Sequence, residues 1–416
     1  MTTFLILLVN FNSSKHIPML EEVIPTLPRP MYKQIYILMH SGKLPQIQKF
    51  NITQLQLEMS SCDVSNCVLT RNSQLFDSIS SFDAILFHGR DLGNFEHSDI
   101  PDQKKRRISQ RYIFYLMESP QNIIKNLTKL NYDLFNNFFN WTMTYRLDSD
   151  IPTPYKTNKK RYYYYYGKNY PKKNYPKLAN KTGTIAWMAS HCNTTSDREN
   201  YINELMKHIP VDIYGGCSYH ATNYRGCKNC ENIINKRYKF YLAFENSFCD
   251  DYVTEKLYNW LGYDVVPVVM GQADYKAITP PHSIINVLDF HGPKHLAAYL
   301  KQLIKNETEY LSYFSWQHLY KEKKISNPWC KLCQMLNNQE LPNKNYKNLY
   351  KWWSVDSHCK AKGTYSWSKY ASPTKSSWGE LLAYKYIMTR KLTEMVFLSS
   401  ISQNRRLIST LGCTHL

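Results

Sequence analysis

The sequence predicts an α/β protein made of two Rossmann-like domains, and three observations carry that expectation. Tyr238–Gly271 reads as strand, polar loop, helix and strand, the unit from which parallel sheets are wound. Residues 1–155 alternate short apolar runs with polar helical stretches in the same manner. At 416 residues the chain is also long enough for two separate cores.

Composition narrows the class. Hydrophobic content of 43% and aromatic content of 14% describe a globular chain. The net charge of +19 raises nucleic acid as a partner. The basic residues are scattered, however, and no helix-turn-helix, zinc-finger or RNA-recognition pattern accompanies them, so no nucleic-acid partner is expected. A basic cleft for a nucleoside diphosphate accounts for part of the excess.

In the first unit, residues 1–155, the strand candidates are Phe4–Val9, Gln34–Met39, Leu55–Met59, Ala84–Phe87 and Tyr112–Met117. Phe4–Val9 is too short to span a membrane, and no cleavage site frames it as a signal peptide. No GxGxxG turn follows any of these strands, so this half is not expected to carry a nucleotide. Lys104–Arg107 reads as a solvated loop rather than a nuclear-localisation patch. Residues 156–181 interleave lysines with tyrosines and hold no acid; they read as a linker.

The second unit spans residues 182–359. It opens with strand Thr184–Ala189, helix Asp197–His208 with Ser196 or Asp197 at its cap, and strand Val211–Tyr214. Then come strand Tyr238–Phe244, loop Glu245–Asp251, helix Tyr252–Leu261 and the apolar strand Val265–Met270. Strand Ile284–Val287 and helices Pro293–Ile304 and Thr308–Lys323 complete it. Residues 360–416 form an extension to which no role is assigned. In parallel sheets ligands bind beyond the carboxyl ends of the strands, which is where Asn246–Asp251 should lie. Glu245, Asn246, Tyr252, Glu255 and Lys256 supply carboxylates, an amide, a phenol and an ammonium there, a set suited to a sugar nucleotide.

Sequons at Asn12, Asn51, Asn126, Asn140, Asn180, Asn193 and Asn306 point to the secretory pathway, whose lumen is oxidising. Disulfides are then favoured over zinc for the close pairs among eleven cysteines. The expectation is three local bridges, Cys62–Cys67, Cys227–Cys230 and Cys330–Cys333.

Phe244-Glu245-Asn246-Ser247, Tyr252-Val253-Thr254-Glu255-Lys256 and Val266-Pro267-Val268-Val269-Met270-Gly271 together resemble the signature of the α1,3-fucosyltransferases. Further similar pieces are Cys67-x-x-Thr70 with Arg71, Phe82–His88 followed by Arg90-Asp91-Leu92, Gln110-Arg111-Tyr112 and Glu118-Ser119-Pro120. Phe139–Arg146, Asp148–Ile151, Ser190 with Arg198, Pro328–Cys333 and Trp352-Trp353…Cys359 continue the likeness. Two departures stand out: Gly89 replaces the family's second His, and His191 stands where Asn is usual.

The resemblance implies the GT-B architecture, in which two Rossmann-like domains face each other across a cleft. It also implies GDP-fucose as donor, a GlcNAc-containing glycan as acceptor, and residence in the Golgi lumen, with any membrane anchor outside this chain. A single base and direct displacement imply inversion. Asp148-Ser149-Asp150 has the spacing of a metal-binding DxD, but it falls inside a family-like segment of the first unit. No obligatory metal is expected, a divalent cation being a stimulant at most. The rivals are another nucleotide-sugar donor, a catalytically silent glycan-binding relative, and a basic nucleic-acid binder.

Carried over residue by residue, Glu118 is the catalytic base. It ends an apolar strand, where partial burial should raise its pKa; capping the helix that follows is the plainer alternative. Tyr155, Ser190, Arg198, Tyr241, Asn246, Tyr252, Glu255 and Lys256 fall on the donor side. Arg198 would meet the diphosphate bidentately and Lys256 as a point charge, helped by the N-terminus of the Tyr252 helix and opposed by Asp250 and Asp251. His88, Arg90 and Asp91 fall on the acceptor side, with Arg90 in the form associated with an α1,3 linkage.

Overall fold

Two all-parallel sheets of five strands organise the chain, each in the order 2-1-3-4-5 of doubly wound α/β folds. The computed structural model describes residues 33–40, 51–95, 97–127, 132–155, 162–165, 178, 181–218, 227, 229–323 and 327–360. The expected strand Phe4–Val9, most of the linker and nearly all of the extension lie outside them.

The first sheet is built from β1 (Ile35–His40), β2 (Cys67–Thr70), β3 (Ala84–His88), β4 (Arg111–Leu116) and β5 (Trp141–Thr144), in the order β2-β1-β3-β4-β5. Helices α1 (Ile52–Ser60) and α2 (Pro120–Leu127) accompany it. All five residues of β3 are buried, which is why an unbroken apolar run marks it in the sequence. Leu55–Met59 is not a strand. It is the body of α1, where Asn51 accepts from Gln54 N at the cap and Ile52, Leu55 and Met59 face the sheet at helical spacing.

Strand β6 (Tyr162–Tyr165) then leads to the second unit. Its sheet comprises β7 (Gly183–Met188), β8 (Val211–Tyr214), β9 (Tyr238–Phe244), β10 (Val266–Met270) and β11 (Ile285–Asn286), ordered β11-β10-β9-β7-β8. Between them lie α3 (Arg198–Met206), α4 (Cys230–Arg237), α5 (Glu255–Tyr258) and α6 (Tyr275–Ile278), with α7 (Pro293–Lys305) and α8 (Glu307–Ser312) following.

Three expectations change here. The helix expected over Tyr252–Leu261 shrinks to α5, capped by Thr254. Thr308–Lys323 breaks into α8, a 3-10 turn and β12 (Tyr320–Lys323), which pairs antiparallel with β6, so the linker contributes a strand. Asp197 precedes α3 in the left-handed conformation, φ 57°, without a side-chain cap.

The chain finally returns to the first sheet. Helix α9 (Pro328–Asn337) sets Trp329, Leu332 and Cys333 into the core on one face of that sheet. Tyr346, Leu349 and Trp353 enter the core on the other. Trp353 is almost fully buried, and truncating such a side chain costs about 3–5 kcal/mol. Arg146 holds this return in place, donating to Trp352 O and, at 2.9 Å, to Ser357 Oγ.

The disulfides correct the local pairing. Cys62 bonds Cys330 and Cys67 bonds Cys333, tying α1 and β2 to α9. Only the 227–230 member of the three expected bridges is as anticipated. Cys192–Cys217 and Cys249–Cys359 were not anticipated. The Cys-x-x-Cys of residues 330–333 lies on a helix, whose three-residue spacing presents both sulfurs to the same neighbour rather than to each other.

The sequon at Asn140 has a structural task. Its amide oxygen accepts from Tyr112 N at 2.8 Å and from Arg106, and its nitrogen donates to Lys344 O at 2.9 Å. The basic run 104–107 is likewise only partly solvated: Arg106 stacks on the Tyr112 ring, 3.7 Å from its centroid, and Arg107 donates to Ser80, Ser81 and Phe82 carbonyls.

Candidate active site

Ligands of doubly wound sheets bind where the strand order reverses, beyond the carboxyl ends of strands 1 and 3. In the second sheet those ends carry Ser190, after β7, and Glu245-Asn246, after β9. In the first sheet the neighbouring strand ends are His88, with Arg90 following β3, and Glu118, following β4.

Glu118 joins the two units. Its Oε1 accepts from the Tyr252 hydroxyl at 2.5 Å, Asn122 Nδ2 at 2.8 Å and Ser119 N at 3.1 Å, while Oε2 meets Arg90 Nη2 at 2.8 Å. Burial pushes this carboxyl's pKa up, but the donors and the Arg90 charge outweigh it, so the net shift is downward. The expectation of a raised pKa is therefore overturned: Glu118 is held as a carboxylate. The adjacent Ser119 donates to Ser247 Oγ at 2.6 Å, both side chains fully buried. Leu147 N donates to Asp251 Oδ2 at 3.1 Å and completes the seam.

Just beyond β9, Glu245 is almost fully buried and accepts from Thr254 N at 2.8 Å and Thr254 Oγ1 at 2.9–3.0 Å. Its carboxylate thus occupies the N-terminus of α5, the place expected to attract the diphosphate. Lys256 Nζ stands 3.3 Å from both Glu245 and Glu255. Burial raises the Glu245 pKa, and the Lys256 and Thr254 contacts offset only part of that rise. The Lys256 pKa is raised because the two carboxylates outweigh its own desolvation.

Asn246 Oδ1 is buried without a hydrogen-bond partner, on a side chain only 7% exposed. An orphaned acceptor at a strand end is what a ligand hydroxyl would satisfy. Ser190, two residues past β7, is exposed.

The other residues expected at the site are largely buried, each with internal partners. Arg198 is 1% exposed and spends its donors internally, on Phe244 O at 2.6 Å, His191 O at 2.9 Å and Glu199 at 3.3 Å. Tyr241 is buried, stacked on Trp260 with centroids 4.0 Å apart. Tyr155 packs edge-on against Tyr252 at 6.2 Å. His88 and Asp91 are buried together, Nδ1 to Oδ2 3.8 Å, leaving Arg90 the more exposed member of that trio. Ser119, Asn122 and Ser247 escaped the sequence reading as site residues, although each lies in or beside a quoted motif. Asp148 chelates Arg146, and Asp150 accepts from Thr142, Lys344 and Tyr346. Among the described residues no cluster of His, Cys, Asp or Glu is arranged to hold a metal ion.

Two family models match the chain: the N-terminal domain of fucosyltransferases over residues 25–156, and the C-terminal domain of glycosyltransferase family 10 over 178–352. Alpha-(1,3)-fucosyltransferase C of Drosophila melanogaster is 36% identical over 70% of this chain and 70% of its own length. The human 4-galactosyl-N-acetylglucosaminide 3-alpha-L-fucosyltransferase FUT5 is 35% identical over 70% and 73%. A solved alpha1,3-fucosyltransferase with GDP-fucose superposes with a TM-score of 0.49 at 17% identity, covering 78% of this chain and 96% of that one. With its two-sheet GT-B architecture, the chain belongs to glycosyltransferase family 10, the fucosyltransferases.

Proposed function

We propose that this protein transfers L-fucose from GDP-β-L-fucose to a GlcNAc hydroxyl of a glycoprotein or glycolipid glycan, forming an α1,3 linkage with inversion at the fucose carbon. The observation that carries the reading is Glu118: a carboxylate kept ionised at a strand end and bonded to Tyr252 of the facing unit. As the acceptor oxygen attacks the fucose anomeric carbon, its proton passes to Glu118. The bond to the diphosphate oxygen breaks, and its electron pair leaves with GDP. Lys256 is the cation offered to that leaving charge, and Asn246 Oδ1 accepts from a donor hydroxyl.

A divalent cation is a stimulant at most in this reading, because the paired acids of 148–150 already answer Arg146 and Lys344. The five disulfides among the described residues support assembly in the oxidising lumen of the secretory pathway, the Golgi being the proposed working place.

The test is the secreted chain incubated with GDP-fucose and either LacNAc or N-glycan core acceptors, with and without EDTA. Product anomers are read by NMR, and a panel of other nucleotide sugars runs alongside. Glu118→Gln should abolish transfer while GDP affinity stays within a few-fold. Near-normal turnover of that variant would remove Glu118 from the chemistry, and preference for another donor would overturn the fucosyl assignment.

A further inference from the structure

We infer that Arg90 is a positioning residue for Glu118, its guanidinium fixing the one carboxylate oxygen able to take the acceptor proton. The inference rests on Glu118 acting as the base and goes on to name the atom and the residue that readies it.

The two oxygens are unequally engaged. Oε1 already accepts three hydrogen bonds, from Tyr252, Asn122 and Ser119. Oε2 accepts one, from Arg90 Nη2 at 2.8 Å. A carboxylate oxygen offers about two lone-pair sites, so Oε1 is saturated and Oε2 keeps one site open. The pair lies where solvent still reaches, the Arg90 and Glu118 side chains being 37% and 18% exposed.

Gly89 stands in the turn that carries Arg90. Its N–H donates to Tyr115 O at 2.9 Å, so the turn after β3 lies directly on β4. A Cβ at position 89 would stand 2.7 Å from Leu116 and 2.9 Å from Phe114, both buried. A side chain here would have to push those two side chains aside. The departure from the family's second His thus coincides with the turn that delivers a guanidinium to the end of the next strand.

Charge around Glu118 comes from few places. Tyr145, Tyr155 and Tyr252 face it from the segments after β5 and β9, and burial pushes each phenol's pKa up, so they stay neutral. Ser119 and Asn122, from α2 and the turn before it, carry no charge. Arg90 is the cation paired with the carboxylate. It fixes Oε2 in the cleft and keeps it ionised, while the open lone pair receives the acceptor proton as the new glycosidic bond forms and GDP departs.

The experiment measures kcat and KM for donor and acceptor against pH for wild type, Arg90→Lys, Arg90→Met and Gly89→Ala, with GDP-fucose and LacNAc. Arg90→Met should lower kcat at pH 7 by about ten-fold. It should also move the acid limb of the profile up by about one to two pH units, with both KM values changed less than about three-fold. Arg90→Lys, which keeps a cation, should leave the limb near its wild-type position, and Gly89→Ala, which displaces the turn, should move it as Arg90→Met does. A rise in acceptor KM alone, with kcat and limb unchanged, would make Arg90 a sugar contact and overturn the proposal. So would an unmoved limb in both Arg90→Met and Gly89→Ala. Wild-type turnover together with an inactive Glu118→Gln tests the underlying reading separately.

Discussion

The Tyr252 hydroxyl donates to Glu118 Oε1 at 2.5 Å, so a residue of the donor-side loop holds a carboxylate that belongs to the first sheet. Both side chains are largely buried, and the contact spans 134 positions of sequence. This bond, together with Ser119 to Ser247 and Leu147 N to Asp251, ties the carboxylate proposed as base to the loop after β9.

Tyr252→Phe removes that bond and little else. A hydrogen bond to a charged group contributes about 1.5–3 kcal/mol, so kcat should fall about ten- to hundred-fold. GDP affinity should stay within a few-fold, and the acid limb of the rate profile should move upward because Glu118 loses a donor that keeps it ionised. Unchanged kcat would detach Tyr252 from the base.

Lys256→Met strands the Glu245 carboxylate. Loss of one partner of a buried pair costs about 3–5 kcal/mol, and less here because Lys256 is 18% exposed. The folded-state pKa of Glu245 already lies above its ordinary value and would rise further. A carboxyl with a raised folded pKa resists an ionisation that the unfolded chain allows: the cost is absent below the ordinary carboxylate range, grows as pH climbs from there to the folded value, and stays at its full size above it. Thermal unfolding should therefore show a larger deficit at pH 8 than at pH 5, restored by adding Glu245→Gln. Calorimetry should show GDP binding weaker by about 1.5–3 kcal/mol.

Arg198→Ala should act on stability first. It orphans the buried carbonyl of Phe244, at about 1–3 kcal/mol, and frees that of the exposed His191 at a smaller cost. Urea unfolding and GDP titration on the folded variant separate the roles. A large loss of GDP affinity with unchanged stability would restore the diphosphate contact expected from the motif.

The disulfides differ in what they constrain. Cys62–Cys330 and Cys67–Cys333 close one long loop between them, so removing both releases 266 residues, worth about 6 kcal/mol by the chain-entropy account, whereas Cys227–Cys230 closes 3, worth about 2 kcal/mol. Serine substitutions removing both long-loop bridges, and those removing the short one, should rank in that order in chemical denaturation. Peptide mapping without reduction should recover Cys62 with Cys330 and Cys67 with Cys333; a Cys62–Cys67 peptide would contradict the fold.

Much of the fold was legible in the sequence because of burial. A parallel strand covered on both faces must be an unbroken apolar run, which is why β3, β4, β9 and β10 stood out. Leu55–Met59 misled because a short apolar stretch satisfies both periods, and only the Asn51 cap decides for helix. The signature residues around Glu118 and Lys256 were likewise visible as motifs. What the chain order could not reveal is pairing. Whether a cysteine meets its near neighbour or one 268 positions away depends on how α9 docks on the first sheet. Whether Arg198 faces a ligand or two carbonyls depends on the direction of a side chain in a finished core. The same holds for Glu118, whose proton affinity reverses once Arg90, Tyr252 and Asn122 converge on it. Residue type and period are properties of a local stretch, while a partner is supplied by segments that only folding brings together.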